Sequence, residues 1–329
     1  MLFIDNKGIT DPQINLAIEE YALKNLNINE TYLLFYINAP SIIIGKNQNT
    51  IEEINTQYVE DNGIKVVRRL SGGGAVYHDL GNLNFSFITK DDGESFHNYK
   101  KFTEPVIEAL HKLGVNAQLS GRNDIEVDGR KISGNAQFST RGRMFSHGTL
   151  MFDSEIDHVV SALNVKKEKI ESKGIKSVRS RVANISEFLN EKIKIEEFRQ
   201  MLLRYIFKTD SDIPEYKLTE QDWDKIHEIS KERYQNWDWN YGKSPKFNYQ
   251  HTHRFPVGSI DVRLEVQKGT IENCKIYGDF FGVGDVGEIE ELLIGTKYEK
   301  AELEKALENV DIQHYFGKIT KEDFINLIY

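Results

Sequence analysis

The sequence predicts a protein of the α+β fold class, with a large mixed-sheet domain followed by a small C-terminal α+β domain. Its 329 residues exceed the usual length of a single domain. Through the first half, short β-branched or aromatic runs alternate with amphipathic helical patterns. The segment 237–249, which contains Gly-Lys-Ser-Pro, breaks this periodicity ahead of a second group of strands and helices. We therefore expect two domains, comprising residues 1–245 and 246–329.

The N-terminal elements are predicted from capping residues and hydrophobic runs. Asp11 is a favourable N-cap residue and Pro12 fits the first helical position, so we expect a helix to begin there. YLLFYIN (32–38) and SIIIG (41–45) are short apolar runs bounded by Asn, Ala-Pro and Gly, as is typical of buried strands. The other elements predicted before the glycine-rich segment are a strand at 2–4 and a helix at 51–62 that stops at Gly63.

The next part of the chain is predicted to consist mainly of strands. Leu83, Phe85 and Phe87 alternate with polar residues, which is typical of a half-buried strand. Asp128-Gly129 is the strongest short hairpin signal. The elements predicted here are strands at 64–70, 75–78, 83–88 and 147–153, a helix at 102–113, and a hairpin at 123–134.

The remainder is predicted to be helical at first and then to form the small domain. Residues 155–240 are mostly helical and charged in pattern, with a polar loop at 173–184. Apolar residues alternate over 260–266, Lys268-Gly269 turns the chain, and TIENCKIYGDFF (270–281) is expected to pair back. Two short helical patterns close the chain.

Composition and charge exclude several classes of protein. The formal net charge of −9 does not steer the protein toward nucleic acid or a membrane surface, so neither partner is expected. The single cysteine, Cys274, cannot form an intrachain disulfide, which fits a reducing compartment. The N-terminus lacks the pattern of a signal peptide, and no apolar run approaches the ~20 residues that span a bilayer. We expect a soluble cytoplasmic protein.

The segment RRLSGGGAVYHDLGN (68–82) carries the first functional signal. Consecutive glycines are entropically costly to order, but their N–H groups can form a concavity that binds an anion. Arg68 and Arg69 precede the glycines, and an arginine fork suits phosphate or carboxylate, although strand alternation directs only one of the two to the ligand. The loop matches neither a Walker A sequence nor G-x-G-x-x-G. A flexible turn beside two solvated arginines is the alternative.

The segment GRNDIEVDGRKISGNAQ (121–137) is unusually rich in polar residues. Lys131 lies two residues past the predicted hairpin turn, where its ammonium group can balance a carboxylate or phosphate ligand. Asp124 begins the hairpin and is a candidate ligand for a divalent metal. A surface hairpin with solvated side chains is the alternative.

Four other features are weaker. GVGDVG (282–287) matches G-x-G-x-x-G, but no second parallel strand follows it, so a flexible turn is the better interpretation. HTH (251–253) has no further metal ligand nearby and is expected at the surface. Cys274 alternates within a strand, which favours a buried structural thiol over a nucleophile. His78 and His147 adjoin glycine motifs and are expected either to line a pocket or to form hydrogen bonds in the core.

Together these segments resemble the lipoate–protein ligase A family. The matching stretches are RRLSGGGAVYHDLGN, GRNDIEVDGRKISGNAQ, HGTLMFD, KGIKSVRSRVANI, IIIGKNQN and WDWNYG. They occur in the family's order, over essentially the whole chain. The resemblance implies a catalytic fold similar to that of biotin–protein ligases in residues 1–245, which would carry adenylation and lipoyl transfer. It implies an accessory domain that rearranges between steps in residues 246–329.

The resemblance also implies a reaction. The family activates lipoate or octanoate with ATP and Mg²⁺, giving lipoyl-AMP and pyrophosphate, and then transfers the lipoyl group to a carrier lysine. The implied acceptors are lipoyl domains of 2-oxo acid dehydrogenase E2 subunits and the glycine-cleavage H protein. Lys131 matches the family's lysine that contacts the lipoyl carboxyl group and the α-phosphate, and Arg69 matches its phosphate-binding arginine. With loop N–H donors, these cations would stabilise the transition state, and Asp124 is expected to bind Mg²⁺ or accept the incoming lysine's proton.

Further site residues follow from the same motifs. The residues expected to bind ATP or lipoyl-AMP are Arg69, Gly73, Gly74, Ala75, Val76, Tyr77, Asn82, Asn123, Lys131, Ser133, Gly134, His147, Gly148, Thr149, Ser177, Arg179 and Arg181. Those expected to bind lipoate are Lys131, Gly73, Gly74 and His78. The family loop that matches 173–184 folds over the adenylate, so Ser177, Arg179 and Arg181 are expected to shield the mixed anhydride from water.

Three alternatives share parts of this pattern. A lipoyl or octanoyl transferase that works between carrier proteins without ATP uses a cysteine nucleophile, and no cysteine lies near the glycine loop. A biotin–protein ligase shares the fold and chemistry but has a different glycine loop. A non-enzymatic sensor of lipoyl-AMP or of a dinucleotide would need the same anion site without turnover.

Overall fold

The computed structural model describes residues 1–163, 181–242, 247–267 and 269–329. The chain divides into two compact units. Unit 1 comprises Met1–Ile43, Ile51–Arg68 and Val76–Asn240, and unit 2 comprises Ile44–Thr50, Arg69–Ala75 and Tyr241–Tyr329. Unit 2 therefore includes two segments from the N-terminal half of the chain. The predicted boundary at residues 245 and 246 and the predicted turn residue Lys268 lie outside the described residues.

Unit 1 is built on a mixed sheet. Its strands are β1 (Leu2–Asp5), β2 (Tyr32–Ile37), β6 (Asn82–Lys90), β7 (Gln118–Ser120), β8 (Asp124–Val127), β9 (Arg130–Thr140) and β10 (Arg143–Met151). Among the described residues their order is β1-β2-β6-β10-β9-β8-β7. Strand β1 is parallel to β2, and the other neighbours are antiparallel. A smaller sheet of order β4-β3-β5 contains β3 (Ser41–Ile44), β4 (Lys65–Arg68) and β5 (Val76–His78).

Unit 1 also contains helices, of which those at Pro12–Asn25 and Tyr99–Lys112 pack on strands of the larger sheet. The helices are α1 (Pro12–Asn25), α2 (Thr50–Glu53), α3 (Thr56–Asp61), α4 (Tyr99–Lys112), α5 (Ile156–Ala162), α6 (Ile195–Phe207), α7 (Glu220–Ile229) and α8 (Trp237–Asn240), with a 3₁₀ turn at Ile185–Phe188 and a π-helical turn at Ser230–Tyr234. The predicted start of α1 is confirmed, since the Asp11 side chain accepts a hydrogen bond from the Gln13 N–H and Pro12 occupies the first turn.

Two predictions in unit 1 were wrong in detail. The predicted helix at 51–62 is divided into α2 and α3, because the Asn55 N–H donates to the Ala162 carbonyl and its side chain caps α3 by accepting from the Tyr58 N–H. Strand β6 is buried on both faces, so Asn84 and Ser86 are buried as well. The reason is that α1 packs against β6 and β10, covering the face that was expected to meet solvent.

Unit 2 has a core of its own. Strands β11 (Tyr249–Phe255), β12 (Gly258–Gln267) and β13 (Thr270–Gly278) form an antiparallel sheet in that order. The predicted strand at 260–266 and its back-pairing partner are confirmed, with Leu264 opposite Cys274 and both buried. Strand β11 was not predicted, because its sequence lacks apolar alternation and most of its residues are exposed.

The C-terminal helices of unit 2 are more numerous than the two predicted. They are α9 (Val286–Leu293), α10 (Lys300–Ala306), α11 (Ile312–Phe316) and α12 (Lys321–Ile328). The GVGDVG segment is a closely packed turn, because a Cβ atom on Gly282 would lie 1.6 Å from the Tyr315 carbonyl oxygen. In the described parts of both units, every helix is too short or too polar to cross a membrane.

Candidate functional site

The hairpin of β8 and β9 positions Lys131. As predicted, Asp128 and Gly129 form a tight turn in which both residues have positive φ, 51° and 73°. Beyond the turn the register shifts: Glu126 pairs with Lys131, but Ile125 pairs with Ser133. Ile132 is therefore an extra residue in β9, which makes a β-bulge.

This bulge decides which way Lys131 points. In a regular strand, residues three positions apart lie on opposite faces of the sheet. The extra residue reverses that alternation, so Lys131 lies on the same face as Gly134 and as Asp124, which pairs with Gly134. The Lys131 Nζ atom contacts the Asp124 Oδ1 atom at 2.8 Å, and the two side chains are 40% and 34% exposed. The lysine ammonium is thus held in place while solvent and ligands can still reach it.

Gly134 leaves the space that the lysine occupies. A Cβ atom at position 134 would lie 3.1 Å from the Lys131 Nζ atom and 3.2 Å from its Cε atom. These distances are shorter than an ordinary van der Waals contact between such atoms. The Gly134 N–H donates to the Thr149 hydroxyl at 3.2 Å, which joins β9 to β10 at this point. The absence of a side chain at position 134 therefore allows the Lys131–Asp124 pair to form.

The backbone of Lys131 is fixed by residues 181–183, which belong to the end of the predicted active-site loop at 173–184. The Lys131 N–H donates to the Arg181 carbonyl at 2.7 Å, and the Ala183 N–H donates to the Lys131 carbonyl at 3.0 Å. Val182 pairs with Lys131 as a parallel bridge. The Arg181 side chain is exposed, whereas Ser177 and Arg179 lie outside the described residues.

Three predicted site residues of unit 1, Asn123, Ser133 and Gly148, lie against Asn135. The Asn123 Nδ2 atom donates to the Asn135 carbonyl at 2.6 Å, and the Asn135 N–H donates back to the Asn123 carbonyl at 2.9 Å. Ser133 is buried and its hydroxyl lies 3.2 Å from the Asn135 Nδ2 atom. Gly148 is buried beside Asn135. The structure therefore brings Asn123, Ser133 and Gly148 together around Asn135, although they are spread over 26 positions from 123 to 148.

His147 has a buried acidic partner that the sequence did not reveal. Its Nδ1 atom lies 2.9 Å from the Glu19 Oε1 atom, and the two side chains are 10% and 3% exposed. Since a carboxylate only accepts hydrogen bonds, the Nδ1 atom carries the proton in this pair. Glu19 belongs to α1, where the periodicity predicted an apolar face but gave no sign that an acidic residue would be buried.

Strand β5, in unit 1, follows the glycine loop and contains three residues predicted to contact a ligand. Val76 and Tyr77 are half-buried in β5, and the Asn38 Nδ2 atom donates to the Nδ1 atom of the buried His78 ring at 3.0 Å. Burial, and then the proximity of Asp79, raises the pKa of Tyr77 to about 12, so its hydroxyl is neutral at physiological pH. Asn82, at the start of β6, is buried and donates to the Asn84 side chain at 3.0 Å.

The glycine loop itself belongs to unit 2. Gly73 has a φ of 91°, a conformation that favours glycine. Gly72 lies so close to unit 2 backbone that a Cβ atom there would be 2.4 Å from the Phe280 carbonyl oxygen. The buried Arg69 guanidinium donates to the Ser71 hydroxyl at 3.0 Å and to the carbonyls of Gly72 and Gly74 at 2.6 and 2.9 Å. The loop is therefore ordered by its own hydrogen bonds. Ala75 is the last residue of this segment of unit 2.

Arg68 and Arg69 form hydrogen bonds with different parts of the chain. The buried Arg68 belongs to unit 1, where its Nε atom donates to the Trp239 carbonyl at 2.8 Å. Trp239 returns a hydrogen bond from its Nε1 atom to the Arg68 carbonyl, also at 2.8 Å, and the Asn240 side chain accepts from the Arg68 N–H at 2.9 Å. Trp239 and Asn240, in the WDWNYG motif, thus join α8 to β4 within unit 1.

The potential metal ligands and the single cysteine also bear on the chemistry. The described residues contain no cluster of three or more histidine, cysteine, aspartate or glutamate side chains arranged to hold a metal ion. Cys274 is buried in β13, and burial, followed by the nearby Glu290 carboxyl group, raises the pKa of its thiol to about 12. A thiol in these surroundings stays protonated and makes a poor nucleophile.

Comparison with known protein families covers nearly the whole chain. The family model of the lipoyl protein ligase A/B catalytic domain matches residues 11–207. The family model of the bacterial lipoate protein ligase C-terminus matches residues 244–328.

Individual relatives agree with these matches. Lipoate-protein ligase LplJ of Bacillus subtilis is 76% identical over 331 residues, covering 100% of each chain. A crystal structure of a lipoate-protein ligase A bound with ATP has a TM-score of 0.61 and 29% identity, covering 74% of this chain and 97% of that one. The ligase in a structural analysis of a bi-partite lipoate protein ligase and its E2 lipoyl domain from Thermoplasma acidophilum has a TM-score of 0.66 and 31% identity, covering 75% and 98%.

Proposed function

Because this chain belongs to the lipoate–protein ligase family, we propose that it activates lipoate with ATP and transfers the lipoyl group to a lysine of a carrier domain. The chain is an enzyme, an ATP-dependent ligase. The observation that carries the proposed mechanism is the placement of Lys131 beside Asp124, at 2.8 Å, by the bulge at Ile132.

The first half-reaction would be adenylation. A carboxylate oxygen of lipoate attacks the α-phosphorus of ATP, and the bond between that phosphorus and the oxygen bridging to the β-phosphate breaks. The products are lipoyl-AMP and pyrophosphate. The transition state brings the anionic carboxylate against the anionic α-phosphate, so a fixed cation nearby stabilises it without reorganising. We assign that role to the Lys131 ammonium group, with Arg69 acting on the phosphate.

The Asp124 carboxylate suits one of two tasks. Magnesium in nucleotide-dependent enzymes is commonly held by one or two protein carboxylates together with substrate phosphates and water. The Asp124 side chain is 34% exposed and is a single carboxylate, so it fits such a site when ATP supplies the remaining oxygen ligands. Bound magnesium would neutralise phosphate charge. Asp124 would also be placed to accept the proton of the incoming carrier lysine.

The second half-reaction would be acyl transfer. The ε-amino group of the carrier lysine attacks the lipoyl carbonyl, the bond to the AMP oxygen breaks, and the amine proton is released to a base. No covalent enzyme intermediate is needed, in agreement with a lone cysteine that is buried in unit 2. We propose E2 lipoyl domains and the glycine-cleavage H protein as acceptors. Because the reaction consumes ATP, we place it in the cytoplasm.

The remaining predicted residues would bind the substrates. We propose that residues 1–245 carry both half-reactions and that 246–329 form an accessory domain. The residues proposed to contact ATP, lipoyl-AMP or lipoate besides those already discussed are Gly73, Gly74, Ala75, Val76, Tyr77, His78, Asn82, Asn123, Ser133, Gly134, His147, Gly148, Thr149 and Arg181, together with Ser177 and Arg179 outside the described residues.

An acceptor assay tests the whole proposal. The protein is mixed with ATP, Mg²⁺, lipoate and an apo lipoyl domain or apo H protein, and the carrier is weighed by mass spectrometry. We expect a gain of one lipoyl group on one lysine, and no gain when ATP is omitted. Lipoyl or octanoyl transfer from one carrier to another in the absence of nucleotide would instead support the ATP-independent transferase.

A variant separates the role of Lys131 from its effect on folding. Lys131→Ala should stop pyrophosphate release while leaving the unfolding transition nearly unchanged, since an ion pair this exposed contributes about 1 kcal/mol or less to stability. Lys112→Ala removes an exposed lysine of α4 and serves as the matched control. Normal pyrophosphate release by Lys131→Ala would remove Lys131 from the mechanism.

A further inference from the structure

A second cluster of side chains in unit 1 lies against Tyr77. Helix α5 carries Glu155 at its N-cap and His158 one turn later, and α3 carries Tyr58. The imidazole of His158 lies almost parallel to the Tyr77 ring, with an interplanar angle of 12° and 6.3 Å between ring centroids. Ring pairs at such separations attract one another beyond the area that they bury.

The hydrogen bonds of His158 define its tautomer. The Nε2 atom lies 2.9 Å from the Glu155 Oε2 atom, and the Nδ1 atom lies 2.6 Å from the Tyr58 hydroxyl. A carboxylate can only accept, so the Nε2 atom carries the proton. In the neutral ring the Nδ1 atom then accepts from the Tyr58 hydroxyl. Both edges of the imidazole are tethered, which fixes the plane that it presents to Tyr77.

The elements that carry this cluster are themselves joined. The Glu155 N–H donates to the Asp79 Oδ2 atom at 2.8 Å, which ties the start of α5 to the end of β5. At the other end of α5, the Ala162 carbonyl accepts a hydrogen bond from the Asn55 N–H at 2.9 Å. Helix α5 is therefore held between the strand that bears Tyr77 and the helix that bears Tyr58.

The cluster also borders a cavity. Tyr77, Asp79, Glu155 and His158 line a cavity of about 570 Å³ in unit 1, a size that suits a small-molecule ligand. The His158 side chain is 40% exposed and that of Glu155 is 76% exposed. Both side chains are therefore accessible from the cavity, while the imidazole is held at both ring nitrogens.

We infer that His158 is a positioning residue for ATP, which acts by holding the Tyr77 ring in the orientation that binds the nucleotide. The inference rests on the proposed function, in which Tyr77 contacts ATP or lipoyl-AMP. It adds to that proposal a tethered histidine outside the matching motifs, with Tyr58 and Glu155 as its supports. Loss of the imidazole frees the Tyr77 ring, so ATP binds more weakly while lipoate binding is unaffected.

The test measures the dissociation constants of ATP and lipoate separately by calorimetry on the full chain. His158→Ala should weaken ATP binding by about two- to tenfold, the range expected from losing one aromatic pair. The dissociation constant of lipoate and the urea unfolding midpoint should not change. Tyr58→Phe should act in the same direction with a smaller effect, because it removes one tether. His227→Ala is the matched control, since it removes an exposed helical histidine that lies beside the Trp223 ring.

A double-mutant cycle decides whether His158 acts through Tyr77. In the Tyr77→Ala background, His158→Ala should cause no further loss of ATP affinity. Equal losses in both backgrounds, or parallel losses of ATP and lipoate affinity, would overturn the inference. A wild-type chain that binds ATP but modifies no carrier would contradict the proposed function alone, and the cycle would still decide the inference. A wild-type chain that does not bind ATP would overturn both.

Discussion

Replacing Gly134 by alanine tests whether the position of Lys131 limits adenylation. The new Cβ atom would lie 3.1 Å from the Lys131 Nζ atom and 3.2 Å from its Cε atom, so the lysine must move by a few tenths of an ångström. Gly134 is not among the glycines with positive φ, so alanine introduces no backbone strain there. The perturbation is thus confined to the end of one flexible side chain.

The expected effects on stability and rate differ in size. The Lys131–Asp124 pair is partly exposed, so its distortion should change the free energy of unfolding by less than about 1 kcal/mol. Catalysis is more sensitive to position, because misplacement of a reacting group by about 1 Å can cost about a hundredfold. For a displacement of a few tenths of an ångström we expect an adenylation rate about tenfold lower, equivalent to about 1.4 kcal/mol.

Single-turnover pyrophosphate release with saturating ATP and lipoate measures this rate, and urea unfolding measures stability. Gly287→Ala is the matched control, since a Cβ atom there meets nothing closer than 3.4 Å and the residue lies in the first turn of α9. An unchanged rate in Gly134→Ala, or an equal loss of rate in Gly287→Ala, would refute the argument that Gly134 acts by making room for the lysine.

Three further predictions concern single side chains. Cys274→Ser should retain full ligase activity, and the folded protein should not react with a thiol reagent at pH 8, because burial raises the pKa of Cys274 to about 12; inactivation by alkylation would contradict this. Trp239→Phe should lower the free energy of unfolding by about 1 kcal/mol in urea titrations, since the Arg68 carbonyl loses its indole donor; an unchanged midpoint would show that this hydrogen bond does not stabilise the fold. Burial alone would raise the pKa of Asp222, but hydrogen bonds, the largest from Tyr21, lower it. Asp222 thus stabilises the fold above its ordinary titration range, and Asp222→Asn should flatten the loss of stability below about pH 4, whereas an unchanged slope would exclude this contribution.

Local features of the chain were predictable because they depend on neighbouring residues. Asp11 and Pro12 mark the start of α1 through capping chemistry that spans a few positions. Asp128-Gly129 specifies a tight turn because both residues tolerate positive φ. The helix predicted at 51–62 was wrong because Asn55 bonds to Ala162, which is more than a hundred residues away.

The sequence by itself determined the fold class, the family and the identity of Lys131 as the central candidate, because long motifs in a fixed order identify a family whatever the packing. Only the tertiary structure decided how that lysine is placed. The bulge at Ile132 exists only relative to β8, since a bulge is a mismatch between paired strands. Burial of Glu19 beside His147 depends on α1 covering the sheet. Register, close approach and burial of charge are properties of pairs of segments, and no single segment encodes them.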